Sequence, residues 1–343
     1  MLRKSASIAI LGREGRPVLV GLALLLVLLA VWAFSPSAAR HTLRERALDL
    51  LLPLLSRQSA GTPEVVVVDI DRAALARFGP WPWPRQRMAE LVAAAAAGHP
   101  TVLAIDILFA GPDRFSADGD AALARALSAV PSVLGFVLET ATSGEDLPTT
   151  PILFRVPISL PGLWRANGAT GPTPALADAA QGIGALVAAA DPDGPIRRVP
   201  LLVVTGATVR PGLAVEAVRL ARGAGALVID ARGMLIVGPL VLPLGRDATL
   251  RLSGLSAVPV VPAAKLIDDP AARTTLTGRI VLIGSSAPEV GGLRVTPASP
   301  ATPSVQIQAA AIEAILRGRV FTRPAWVEFA EPWALHCSAC YVF

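Results

Sequence analysis

Residues 65–85 read VVVVDIDRAALARFGPWPWPR, and the architecture of the chain follows from what this stretch can and cannot be. Val65-Val66-Val67-Val68, followed by Asp69-Ile70-Asp71, is apolar throughout its first part, the pattern of a strand buried on both faces. The run Phe78-Gly79-Pro80-Trp81-Pro82-Trp83-Pro84-Arg85 cannot lie in a helix interior or a central strand, because each proline fixes φ and removes a backbone donor. It is a stiff aromatic turn. A helix starting near Arg85 and carrying Met88, Leu91 and Val92 then leads to a second apolar segment, Val102 to Phe109, which contains Asp106. Two apolar strands joined by a helical crossover pair in parallel, so a β-α-β unit is expected from Val65 to Phe109.

The alternation continues with a helix over Asp118 to Ala129 and a buried strand over Ser132 to Leu138. Thr140 to Gly184 is rich in Pro, Gly, Ser and Thr without a sustained period and reads as a long covering loop. Ala185–Ala190 and Ile196–Thr205 flank Asp191-Pro192-Asp193-Gly194-Pro195, which predicts an antiparallel β-hairpin on an Asp-Gly turn, with Arg197 and Arg198 beside its acids. A helix over Gly212 to Ala221 and short strands at Leu227–Ile229 and Met234–Val237 follow. The last unit is a strand, Arg279 to Gly284, a loop through Pro303, and a helix from Ser304 to Leu316. The fold class is therefore α/β, a largely parallel sheet flanked by helices, with one antiparallel hairpin and a long loop insertion.

Before this body, residues 17–34, PVLVGLALLLVLLAVWAF, carry no charge and reach about 27 Å as a helix, close to the thickness of a bilayer core. They are read as one transmembrane helix; a cleaved signal peptide ending near Ser37-Ala38-Ala39 is the competing assignment. Arg3, Lys4, Arg13 and Arg16 precede the span and Arg40, Arg44 and Arg46 follow it, which favours a cytoplasmic N-terminus. The expected plan is a cytoplasmic tail (1–16), the span (17–34), a juxtamembrane helix over Thr42 to Leu55 with its linker (35–62), an extracytoplasmic body (63–324) and a divergent tail (325–343). That tail, with Glu328, Glu331 and Pro332, makes a poor spanning helix and is read as the remnant of a second membrane segment, left by a frameshift or truncation, or as a genuine end.

With 53% apolar residues the chain can bury a large core, and its mean hydropathy is +0.56. The net charge of +5 comes from scattered arginines, only Lys4 and Lys265 being lysine, so there is no basic stripe for nucleic acid. Cys337 and Cys340 are spaced C-x-x-C with His336 before them, the reverse of a haem-attachment order and two ligands short of a closed zinc site. No metal and no cofactor is expected.

Asp69, Asp71 and Asp106 fall at the carboxyl ends of two predicted parallel strands, where open α/β sheets hold their ligands. They could bind a cation or a basic ligand. Their more ordinary roles are to cap helices, accept backbone N–H groups, or pair with Arg72 and Arg85. Gly284-Ser285-Ser286 after the last strand could cradle an anion, but no complete phosphate-binding glycine motif is present. A serine hydrolase built on Ser285 or Ser286 lacks a convincing base, since only His99 lies in the body.

The segments VVVVDID, FGPWPWPR, LAIDILF, DPDGPIRRVPL, GRIVLIGSSAP, VTP and AILRG occur in an order that resembles the type-two CHASE sensor domain, the cyclase- and histidine-kinase-associated sensory extracellular domain, from about Pro63 to Pro324. The resemblance implies a non-catalytic extracytoplasmic sensor of a cyclase or histidine/serine kinase receptor, here without that output. Its partners would be an unknown small molecule or envelope signal and membrane lipid, with a homodimer left open and no nucleic acid. The candidate ligand set is Asp69, Asp71, Arg85, Asp106, Ser285, Ser286 and Thr296 of the VTP segment. Gly79, Trp81, Pro82, Trp83, Pro84, Asp193, Gly194, Arg197 and Gly284 are structural. Two departures stand out: Gly292 replaces the family's usual Asp, and Pro303-Ser304-Val305-Gln306-Ile307-Gln308 replaces Pro-Gly-Val-x-x-His. The rival assignment is a membrane-tethered binding or scaffold protein.

Overall fold

Val65–Asp69 does form a strand, β1, and its four valines are all buried. The computed structural model describes residues 37–55, 61–142, 147–156, 160, 162–186, 190–255 and 257–321, with isolated positions at 20, 21, 23 and 27. The chain divides into two compact units, Leu55–Thr322 and the pair Met1–Leu54 with Arg323–Phe343. In the latter, α1 (Ser37–Leu55) is longer than expected, passes Pro53, and leaves Leu43, Leu50 and Leu51 exposed. Most of the apolar run 17–34 and all of the tail 325–343 lie outside the described residues. Among the described residues no helix is long and apolar enough to cross a membrane.

Within Leu55–Thr322 the elements after β1 are α2 (Arg72–Phe78), α3 (Arg85–Ala96), β2 (Val102–Ile105), α4 (Gly119–Ser128), β3 (Ser132–Glu139), β4 (Ile152–Phe154), β5 (Trp164–Ala166), β6 (Gly168–Thr170), α5 (Pro174–Ala179) and β7 (Gly182–Ala185). Next come β8 (Arg198–Pro200), β9 (Leu202–Thr205), β10 (Thr208–Pro211), α6 (Leu213–Ala221), β11 (Leu227–Ile229), β12 (Met234–Val237), β13 (Leu240–Pro243) and β14 (Thr249–Arg251). The chain closes with β15 (Val260–Pro262), α7 (Ala263–Asp268), β16 (Ile280–Gly284), β17 (Leu293–Arg294), β18 (Thr302–Pro303) and α8 (Ser304–Leu316).

The main sheet runs β15-β1-β16-β2-β3-β6, with β7 also on β3, and every pairing in it is parallel except β3 with β6. Alternation along the strands divides the core. Val65, Val67, Val102, Ala104, Ile280 and Leu282 join the apolar cluster that contains α6 and α8, whereas Val66, Val68, Leu103, Ile105, Val281 and Ile283 join that of α2, α3, α4, α5 and α7. Strands covered on both faces need no polar alternation, which is why they read as continuous apolar runs.

Two expectations fail. The Asp-Gly turn closes locally, with Gly194 N–H donating to Asp191 O at 2.8 Å and Asp191 N–H to Pro195 O at 3.1 Å, but among the described residues the flanks beyond it do not pair with each other. β7 pairs with β3, and β8 pairs with β14, so among the described residues the consecutive strands that pair antiparallel are β9–β10, β11–β12, β12–β13 and β17–β18 instead. The stretch read as a loop from Thr140 to Gly184 contains β4, β5, β6, α5 and most of β7, all short and mostly paired to distant segments.

Candidate functional site

β1, β16 and β2 end level with one another. Asp69 is in register with Gly284, and Ile283 with Ile105, so Asp69, Gly284 and Asp106 form one row across three adjacent strands. By alternation from Val67 and Ala104, both carboxylates face the side that holds α8. A Cβ at Gly284 would lie 2.5 Å from Val305 Cβ, so only glycine lets the first turn of α8 sit on the strand end. From that turn Ser304 Oγ donates to Asp106 Oδ2 at 2.5 Å, and Ser304 N–H donates to Gly292 O at 2.8 Å. At the other end of the row, Asp69 accepts from Ser286 N–H at 2.7 Å and from Ser286 Oγ at 2.6 Å.

Both acids are partly buried, and both hold their protons more tightly than usual. Burial raises Asp69 above the ordinary carboxylate range against the two Ser286 bonds. Burial also pushes Asp106 up to about 7, against the bond from Ser304 and the attraction of Arg294. The row is thus a place where a carboxylate sits under a helix with fewer partners than its charge demands.

The remaining predicted residues are distributed elsewhere. Asp71 caps α2, accepting from Ala74 N–H at 2.8 Å. Neither arginine expected to pair with these aspartates does so: Arg72 reaches Glu289, and Arg85 Nε lies 3.3 Å from Asp120 Oδ1 while its guanidinium stacks over Phe109 at 4.6 Å. Arg85 belongs to the opposite face because α3 packs there, and burial lowers its pKa against the pull of Asp120 and Asp113. The aromatic turn lies on that face as well. Trp83 Nε1 donates to Gly79 O at 2.8 Å, its ring meets Phe78 edge-on at 5.8 Å and Trp81 at 6.2 Å, and the Trp81–Pro82 peptide is cis. Gly79, at φ 103°, ends α2 in a conformation other residues avoid.

Ser285 is a pin between strand ends, donating to Ile70 O at 2.6 Å and accepting from Ala287 N–H. Thr296 closes the loop between β17 and β18 through Thr302 Oγ1 at 2.9 Å. Arg197, buried, grips Asp193 with both terminal nitrogens at 2.5 and 2.8 Å and Asp191 at 3.0 Å, and Arg198 adds a 2.7 Å contact to Asp191. That network staples the turn.

Sequence reasoning missed Ser304, Arg294, Gln308 and Glu313 as participants. Ser304 was visible only as a departure from the family pattern, although a hydroxyl directly after a proline at a helix start is a signal for a polar contact there. Glu313, buried near the far end of α8, accepts from Val65 N–H at 2.9 Å and pairs with Arg317 at 2.8 Å. Gln308 is fully buried with neither amide atom hydrogen-bonded among the described residues.

A cation held by three carboxylates finds no support, since Asp71 is occupied as a cap and no group of three or more His, Cys, Asp or Glu is placed for a metal among the described residues. Nucleophilic hydrolysis fares no better. His99 precedes β2 and its carbonyl accepts from Gly278 N–H ahead of β16, which puts it at the amino edge of the sheet, opposite the serines.

A family model described as CHASE2 domain matches residues 22–342. The chain belongs to the CHASE2 family. No curated protein and no solved structure matches it. CHASE2 domains are extracytoplasmic sensory domains of signalling receptors and are not themselves catalytic. In this CHASE2 protein the row Asp69–Gly284–Asp106, closed by Ser286 and Ser304, is the candidate sensory site.

Proposed function

We propose that this CHASE2 protein is the membrane-anchored, extracytoplasmic sensory part of a transmembrane receptor of the cyclase or histidine/serine kinase class. Residues 17–34 would be the anchor. An envelope condition, or a small molecule with a basic group, acts at the carboxyl edge of the sheet. Membrane lipid and a second copy of the chain are its other partners in this reading, and nucleic acid is not among them.

The observation that carries the proposal is the seat of α8 on Gly284 between two acids whose charge is poorly compensated. A sensor needs two arrangements with different affinity for the signal, and an element whose fit depends on the charge beneath it supplies them. α8 also links the site to the opposite edge of the sheet, where Glu313 holds Val65 at the start of β1.

Fusion of alkaline phosphatase or of a cytosol-dependent fluorescent protein behind residue 324 tests the placement. Active phosphatase with a dark fluorescent fusion is expected. Fluorescence with inactive phosphatase would put the body in the cytoplasm and end the sensory reading.

A further inference from the structure

Ser304 and Gln308 stand one turn apart on α8 and share a face. Side chains on a helix lean toward its N-terminus, which directs the Gln308 side chain toward the turn that carries Ser304, the residue bonded to Asp106. Buried amides are nearly always bonded, yet both Nε2 and Oε1 of Gln308 lack a partner among the described residues. Asp106 meanwhile sits under the same face with Ser304 as its hydrogen-bonded neighbour.

We propose that Asp106, Ser304 and Gln308 form a proton-operated latch: the neutral Asp106 carboxyl accepts from Ser304 and donates its O–H to Gln308 Oε1, holding the first turns of α8 on the sheet, and loss of that proton releases them. The inference rests on the sensory reading above and names its signal as proton activity. Without the proton, Asp106 has no hydrogen to give Gln308, and a carboxylate is left beneath the helix. The groups around it compensate only in part. Arg294 on β17 attracts it, α8 contributes Ser304 and Gln308 but no cation, and Gly284 on β16 contributes no side chain. Asp69 on β1, the next acid in the row, is already bonded by Ser286.

The direction follows from linkage. Asp106 in place holds its proton up to about 7, while a carboxyl freed into water reverts toward its ordinary value of 3.8. The latched arrangement therefore binds the proton more tightly, is favoured below about 7 and weakens as pH rises through that value. α8 runs against the strands, from Ser304 on Asp106 at their carboxyl ends to Glu313 on Val65 at the start of β1, a rise of roughly 14 Å along the helix. Buried on nearly all sides against the sheet and α6, it moves as a unit, so release at Ser304 also disturbs the Glu313–Val65 bond.

Hydrogen–deuterium exchange on the full chain in detergent micelles, at pH 5.5 and 8.5 and corrected for intrinsic exchange rates, tests the latch. Peptides covering 304–312 and 63–68 should lose protection at the higher pH, by up to about 30-fold for the first. Asp106→Asn, permanently neutral and still able to accept from Ser304, should flatten that pH dependence. Gln308→Met, which leaves Asp106 in place, should lower protection at pH 5.5 toward the pH 8.5 level. A flat wild-type profile, or a full pH dependence retained in Asp106→Asn, overturns the latch. Either result leaves the external placement of the body standing, because the fusion reporters decide that alone.

Discussion

Replacing Gly284 with alanine puts a methyl group where the first turn of α8 rests. The added carbon would lie 2.5 Å from Val305 Cβ and 2.7 Å from Val305 Cγ2, well inside contact distance, and these atoms belong to a short, stiff side chain. The strand itself tolerates alanine, because Gly284 is not among the positive-φ glycines. All of the cost is therefore steric: either the helix lifts from the sheet or the strand end bends. Overpacking of this kind costs about 1–3 kcal/mol, and the entropy gained by removing a glycine returns roughly 0.5–1 kcal/mol. A net loss of about 1–2 kcal/mol lowers the melting temperature of a body this size by roughly 2–8 °C. The control is Val305→Gly, which alone costs stability by emptying part of the core and loosening the helix but removes both the Cβ and the Cγ2 that the methyl would meet. In the double variant the two losses should fail to add, with a coupling of about 1 kcal/mol or more. Thermal or urea unfolding of the four proteins measures it. A neutral Gly284→Ala, or strict additivity with Val305→Gly, would refute the close seat of α8 on the row.

Glu313→Ala should destabilise by about 1–3 kcal/mol in urea unfolding, since it strands the buried Val65 N–H, and Glu313→Gln, which keeps an acceptor, should cost less. Arg219→Ala should cost about 3–5 kcal/mol by the same measurement, because Glu216 is fully buried and Arg219 supplies two of its contacts, at 2.7 and 2.9 Å. The unfolding free energy of the wild type should fall between pH 5 and pH 8. A raised acid contributes no penalty below its unfolded value of 3.8 and its full penalty above about 7, which gives at most about 2–3 kcal/mol over that interval. Asp106→Asn should remove most of this slope, and a slope unchanged in that variant would place its origin elsewhere.

The parts of the fold legible in the sequence are those whose cause is local or whose burial is complete. Val65–Val68, Val102–Ile105 and Ile280–Gly284 announce themselves because strands covered on both faces are apolar at every position. The boundaries of α8 follow from Pro303 before it and Arg317-Gly318 after it. Strands of three residues such as β4, β5 and β6 show no period, and their partners lie far along the chain, so nothing in Thr140 to Gly184 betrays them. Asp193-Gly194 specifies a turn and no more: β3 and β14 capture the segments on either side of it. At the candidate site, the apolar strands placed Asp69 and Asp106 at the carboxyl edge of the sheet but could not tell which face each acid meets. Arg85, which lies between the two aspartate strands along the chain, was grouped with them although α3 carries it to the other side of the sheet.

Asp106, partly buried, is held under the first turn of α8. Its side-chain carboxyl carbon, labelled with carbon-13 and followed by NMR through a pH titration of the full chain, reports this directly. A midpoint close to 7, moving down toward 3.8 when Gly284→Ala lifts the helix, is the predicted result. A midpoint already near 3.8 in the wild type would mean that the acid is open to water, and the site described here would not exist.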